Sequence, residues 1–297
     1  MRLTLAAVTP PVPLTTRFAP SPTGRLHLGH AYAALMAWNA ARQTPGGRFL
    51  VRIEDIDSTR CRQEFEAGIF EDLQWLGLSW EEPVRRQSEH LGEYAKIADS
   101  LTRQGFLYPC FCTRKDIQRE IEAAGGAPQG PEGPLYPGTC RHLDPEERQR
   151  RIDSGESHAL RLDLAVALSQ LRDQPSLAWQ DEWKGRQTAH PAQLGDVVLV
   201  RKDIGTSYHL AVVWDDAVQG VNLVTRGEDL FAATHLHRLL QALLGLPCPH
   251  YAHHGLIRDS DGLRLAKRDG ARSLAELRSQ GWSPEQVRKA VGLVESG

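Results

Sequence analysis

His27 and His30 stand three residues apart in "RFAPSPTGRLHLGH", residues 17–30, between an expected strand and an expected helix. At a helical first turn they share one face, with imidazole donors beside the positive end of the helix dipole. Pro20 and Pro22 fix φ and hold the turn extended, while Gly24 and Gly29 remove side chains where a base or phosphate would approach the backbone. That arrangement suits ATP, with a nucleophile attacking the α-phosphate and the histidines stabilising charge on phosphoryl oxygens without a covalent link. The plainer alternative is a capped helix whose histidines bond only to backbone. A second constellation is built on sulfur. Cys110 and Cys112 precede a Gly/Pro-rich stretch and Cys140 follows it, with Tyr136 four residues before Cys140 and His142 two after. Three thiolates bracketing a loop with little core of its own suggest tetrahedral zinc as a staple, and general zinc chemistry favours His142 as the fourth ligand. Cys61 and Cys248 have no such company. "HYAHH" at 250–254 lacks a cysteine or acid at ligand spacing and is expected at the surface or near ATP.

The elements that must position these residues alternate along the chain. "TTRFAP" predicts a strand, "HAYAALMAWNAARQ" a largely buried helix, and "GGRFLVRIEDID" a second strand, with Phe49, Val51 and Ile53 alternating before a run of acids. Amphipathic helices follow in "RQEFEAGIFEDLQWLGL" and "EHLGEYAKIADSLTRQG", the latter stopped by Gly105 as a C-cap. Strand, helix, strand, helix implies an α/β fold with a doubly wound, Rossmann-type parallel sheet. "AAGGAPQGPEGPLYPG" interrupts it, and "HALRLDL", "GDVVLVRKD" and "GVNLVTRGED" resume it before the apolar helix "LFAATHLHRLLQALLGL". "SLAELRSQ" and "SPEQVRKAVGLV" are helical patterns opened by cap-like serines. The expected divisions are a flexible leader at 1–14, the first half of the Rossmann-type domain at 15–105, a zinc-containing insertion at 106–160, the second half at 161–275 and a helical segment at 276–297.

Composition agrees with a globular chain. Of its 297 residues, 41% are hydrophobic and 24% charged, which fits neither disorder nor a membrane protein. No apolar run reaches the ~20 residues of a spanning helix, and prolines interrupt the N-terminal "MRLTLAAVTPPVPLTT" before a signal-peptide core can form. A net charge of −2 excludes a globally basic surface, so a nucleic-acid partner would be held by a local patch. Five unevenly placed cysteines suit a reducing compartment, and a cytoplasmic monomer is expected.

"RFAPSPTGRLHLGH", "VRIEDID", "LVTRGEDL" and "LRLAKRDG" occur in that order, and together they resemble the catalytic domain of class I glutamyl-tRNA synthetases. "HLGH" stands at the HIGH motif and "RLAKR" at the KMSKS motif. The likeness covers roughly residues 15 to 275. It implies ATP, Mg²⁺ and glutamate as ligands. Arg17, Ala19 and Ser21 would line the amino-acid pocket, with Arg17 a natural partner for a carboxylate and Glu54 for the substrate ammonium. Tyr208 and Arg226 complete that pocket, the latter on the side-chain carboxylate. His27, Gly29, His30 and Lys267 would serve ATP, Lys267 neutralising charge on the departing pyrophosphate. Ala266 replaces the KMSKS serine, and Arg264 replaces its first lysine. Arg201, Asp215 and Asp216 are expected to be structural. Zinc would be held by Cys110, Cys112 and Cys140, and the resemblance supplies Tyr136 as fourth ligand. The sequence stops about where those synthetases continue into a helical anticodon-binding domain. That feature, with "CFC" and "YPGTC", resembles the branch of the family that attaches glutamate to queuosine, which makes the tRNA(Asp) anticodon stem-loop the expected partner.

Overall fold

A computed structural model describes residues 12–124, 126–131, 133–172, 176–256 and 272–293. Strand β1 (Thr15–Phe18) leads into helix α1 (Leu28–Arg42), then β2 (Arg48–Ile53), α2 (Gln63–Trp75), β3 (Glu81–Arg86) and α3 (Leu91–Arg103). These strands form a parallel sheet in the order β1-β2-β3. β1 is buried throughout and β2 after its first residue, because helices cover both faces of a parallel sheet. Gly105 closes α3 at φ +79°, a left-handed conformation that glycine adopts without steric cost, and its N–H donates to the Thr102 carbonyl.

The chain then leaves this sheet. β4 (Leu107–Cys110), α4 (Arg114–Ala123), the short hairpin of β5 (Gln129–Gly130) and β6 (Gly133–Pro134), α5 (Pro145–Asp153), β7 (Ala159–Leu162) and α6 (Leu164–Gln170) make up the excursion. β8 (Ala178–Asp181), β9 (Gly185–Thr188) and β10 (Val198–Val200) follow. The excursion has its own antiparallel sheet, ordered β10-β7-β4, so the expected boundary at 160 falls inside β7 and the sheet recruits a strand near 200. No change of composition marks that return, since β10 buries Leu199 in a core shared with the main domain. The last residue of the expected leader is fixed in the structure. Leu14 is buried, and its carbonyl accepts from Arg48 N–H.

α7 (Tyr208–Val218), β11 (Leu223–Gly227), α8 (Ala233–Leu243) and β12 (His250–His254) complete the main domain. β11, β12 and β8 are parallel, with β9 antiparallel at the edge. Asn222 joins the halves: its side-chain oxygen accepts from Thr15 N–H at 2.8 Å, and its own N–H donates to the Thr15 carbonyl at 3.1 Å. From that junction the chain winds outward in both directions, which creates the crevice where doubly wound sheets bind ligands. α9 (Leu274–Ser279) and α10 (Pro284–Ala290) are capped by Ser273 and Ser283 as expected, and bury Leu274, Leu277 and Val287 in the core of the first half. Among the described residues no helix is long and apolar enough to cross a membrane.

Candidate active site and metal centre

A cavity of about 470 Å³ opens at the junction of β1 and β11. Arg17, Ala19, Ser21, His27, Gly29, His30, Glu54, Tyr208 and Arg226 all line it, so the sequence-predicted residues for glutamate and ATP converge on one place. Lys267 lies outside the described residues. The flanks of its segment are nonetheless at the cavity: Leu256 is in the wall, and Ser273 forms a backbone bridge with His27.

His27 is the N-cap of α1 and His30 its third residue. The Nδ1 of His27 accepts from Gly29 N–H at 3.1 Å, and the Nδ1 of His30 accepts from His27 N–H at 3.2 Å. Capping and ligand chemistry are therefore compatible. With Nδ1 occupied as an acceptor, the proton of each neutral ring resides on Nε2, which makes Nε2 a donor beside the positive end of α1. The two rings lie 3.9 Å apart.

Charge in the rest of the cavity is arranged by buried groups. Arg17 donates through Nε and Nη2 to Asp216 at 3.0 and 3.4 Å, and through Nη1 to the Thr225 carbonyl at 3.2 Å. Arg52, with no solvent exposure, donates to Asp216 at 2.8 Å and to Glu54 at 3.3 Å. Burial pushes the Glu54 carboxyl above its ordinary range despite the pull of Arg52 and Arg17, whereas for Asp216 the two guanidiniums outweigh burial and lower it. Asp215 is clamped by Arg85, Gln87 and Tyr94 at 2.8 to 3.0 Å. The two acids thus organise arginines, in keeping with the structural role expected for them. Arg201 bonds Asp203 at the surface, away from the cavity.

The part of Arg52 was missed by sequence reasoning. Alternation of Phe49, Val51 and Ile53 places it on the opposite face of β2, and only the covering of that face by α7 turns an outward residue into a buried one. The available signal was the pair of acids in the otherwise apolar "YHLAVVWDDAV". "HYAHH" also departs from expectation. It is β12, flanked by β11 and β8, so His253 and Tyr251 are buried instead of at the surface. The other half of that expectation has a counterpart in His254, which lines the cavity edge-on to Tyr32.

Cys110, Cys112 and Cys140 place their sulfurs within 4.8 Å of one another, and Cys112 and Cys140 are 3.4 Å apart. Tetrahedral zinc with bonds near 2.3 Å sets its sulfurs about 3.8 Å apart, so this donor set fits the ion. Tyr136 Oη stands 3.5 Å from both Cys110 and Cys112 Sγ, while His142 bonds Arg141 at 3.4 Å outside the cluster. The group is crowded in its protonation. The hydrogen bond to Cys140 and burial push the Cys110 thiol up to about 12, whereas the bond from Cys110 pulls Cys140 down to about 6. A dication would relieve this competition by favouring the ionised form of every ligand. Arg161 adds positive charge, with Nε 3.2 Å from Cys110 Sγ and its guanidinium 3.8 Å from the centre of the Tyr136 ring.

The family model described as "tRNA synthetases class I (E and Q), catalytic domain" matches residues 13–295. A protein of Rhodobacter capsulatus named glutamyl-Q tRNA(Asp) synthetase is 50% identical over 94% of this chain and 100% of its own length. One of the same name from Symbiobacterium thermophilum is 44% identical over 92% of this chain and 84% of its own. The crystal structure of a glutamate tRNA ligase from Elizabethkingia meningosepticum, in complex with its amino acid, superposes with a TM-score of 0.78 at 28% identity. It is matched over 94% of this chain and 60% of that one.

Proposed function

Because the chain belongs to the class I (E and Q) tRNA synthetase catalytic-domain family, a family of ATP-using ligases, we propose that it activates glutamate and transfers it to queuosine in the anticodon of tRNA(Asp). The reading is carried by one observation: a buried carboxylate and two arginines line the same cavity as the histidines at the N-terminus of α1. That pattern complements an amino dicarboxylate next to a polyphosphate. Glu54 takes the ammonium, and Arg226 takes the side-chain carboxylate. Arg17, steadied by Asp216, and Tyr208 bound the pocket, and the small Ala19 and Ser21 leave it room. A carboxylate oxygen of glutamate attacks the α-phosphorus of ATP. The new P–O bond forms as the bond to the bridging oxygen breaks, and pyrophosphate leaves with that electron pair. His27 and His30 donate through Nε2 to phosphoryl oxygens, the Gly29 backbone admits them closely, and Lys267 follows the leaving group. Mg²⁺ would neutralise part of the phosphate charge.

The acceptor hydroxyl then attacks the adenylate carbonyl. An ester bond forms, AMP leaves, and the hydroxyl proton passes to solvent; holding the two reactants together provides most of the acceleration. The name of the Rhodobacter relative, matched along its whole length, supports queuosine as acceptor. Cys110, Cys112, Cys140 and Tyr136 would hold zinc as a structural staple, with no part in the reaction. Glutamate-dependent ATP–pyrophosphate exchange tests the activation step, and exchange without tRNA is expected. Exchange that appears only on adding tRNA would place the chain with conventional glutamate–tRNA ligases, and exchange with another acid in place of glutamate would replace the substrate.

A further inference from the structure

The two arginines of the cavity are held in different ways. Arg17 lies against a carboxylate, Asp216. Arg226, 5% exposed on β11, has no carboxylate within ion-pair distance among the described residues. Its Nε donates to His253 Nε2 at 3.1 Å, its Nη1 to His237 Nδ1 at 3.2 Å and its Nη2 to Thr234 Oγ1 at 2.7 Å. We propose that His253 and His237, backed by Asp181 and His209, are positioning residues that fix Arg226 through neutral acceptors and so reserve its charge for a carboxylate of the substrate. The inference rests on glutamate as substrate and names the device that would distinguish it from glutamine.

Hydrogen-bond direction fixes the state of each ring. A guanidinium only donates, so His253 Nε2 and His237 Nδ1 must present lone pairs. The proton of His253 is then on Nδ1, which lies 2.6 Å from Asp181 Oδ2. The proton of His237 is on Nε2, 3.1 Å from His209 Nδ1, which must accept it. Asp181 is anchored in turn by the N–H groups of Trp183 and Lys184, at 3.1 and 3.0 Å on its other oxygen. Every link is thus determined by the one before it. Burial lowers His209 to about 4 and His237 well below its usual value, with Arg226 pushing the same way, so neither ring competes for the charge.

Three of the five N–H groups of Arg226 are used by this collar, and the side chain lines the cavity. A buried cation oriented by dipoles alone keeps its full attraction for an incoming anion, whereas one already paired with a carboxylate does not. An acidic side chain gains from that difference. An isosteric amide does not.

The test exchanges the acceptor on Arg226 at constant geometry. The Oδ1 of Asn or Asp can occupy the place of a histidine Nδ1. His237→Asn therefore keeps a neutral acceptor, and His237→Asp introduces a carboxylate. In pyrophosphate exchange, His237→Asp is expected to raise KM for glutamate at least ~30-fold while altering exchange with glutamine, assayed at high concentration, less than ~3-fold, and His237→Asn is expected to stay near wild type for both. A parallel loss for glutamate and glutamine in His237→Asp, or an equal loss of discrimination in His237→Asn, would overturn the proposal. Imidazole ¹⁵N chemical shifts of the wild-type protein give a measurement independent of variant folding. Neutral His253 protonated at Nδ1 and neutral His237 protonated at Nε2 are expected at pH 7, and a charged ring or the opposite tautomer at either position would refute the collar. Failure of wild-type exchange with glutamate would instead refute the substrate, and the nitrogen shifts would still decide the collar.

Discussion

Replacing Glu54 by Gln removes one negative charge from the cavity and almost nothing else. Glu54 is 8% exposed, and its hydrogen bond from Arg52 Nη2 is 3.3 Å long, so a neutral oxygen can take over that contact. Arg52 retains Asp216 at 2.8 Å, which keeps the neighbourhood in place. Removing one partner of a buried, hydrogen-bonded charge pair costs about 2–5 kcal/mol. Gln still offers an acceptor to the substrate ammonium, so the lower part of that range applies, about 2–3 kcal/mol, or about 30- to 150-fold in kcat/KM for glutamate. The assay is pyrophosphate exchange with glutamate and with glutarate, which lacks the amino group. The variant is expected to lose the preference for glutamate over glutarate while melting no lower than wild type, because burial already opposes ionisation of Glu54. Exchange within threefold of wild type, or an equal loss for both acids, would refute the assignment of Glu54 to the ammonium.

The same carboxylate predicts a pH dependence. Burial raises the Glu54 pKa against the pull of Arg52 and Arg17, and only the ionised form attracts an ammonium, so glutamate affinity should fall with decreasing pH before the ordinary carboxylate range is reached. Calorimetric titration across pH checks this, and Glu54→Gln should flatten that limb. Lys267→Ala and His30→Ala should each slow adenylate formation by about a hundredfold with little change in glutamate affinity, read by single-turnover kinetics; unchanged rates for both would move the ATP site elsewhere. Cys140→Ser should release zinc and speed amide exchange around residues 110–142 while the parallel sheet stays protected, since its core is separate. Absence of zinc from native protein purified without chelator would contradict the metal centre.

Local patterns made much of this arrangement legible in advance. The strand-turn-helix at 15–42 was visible because prolines, glycines and a run of apolar helix formers each act over a few residues. The cysteine cluster was visible because its members bracket one Gly/Pro-rich stretch at a spacing that can be read along the chain. What escaped was set by distant packing. Arg52 is buried only because α7 brings Asp215 and Asp216 across the sheet, more than 160 residues away in the chain. β10 joins the sheet of the insertion after the chain has already made β8 and β9. His253 becomes an acceptor for Arg226 through the parallel register that sets the two side by side, and His237 through the packing of α8 against that strand, neither of which periodicity within one element encodes. Arg226 and Tyr208 entered the expected pocket through resemblance, and geometry then supplied the neutral acceptors that hold Arg226.

The acceptor is the most specific part of the account, and a short RNA tests it directly. An isolated tRNA(Asp) anticodon stem-loop offers the modified base without the 3′ end of the full tRNA. Incubated with the protein, ATP, Mg²⁺ and radiolabelled glutamate, the stem-loop carrying queuosine is expected to become labelled and the same stem-loop carrying guanine to remain unlabelled. Equal labelling of both RNAs, or labelling confined to full-length tRNA with an intact 3′ end, would contradict transfer to queuosine.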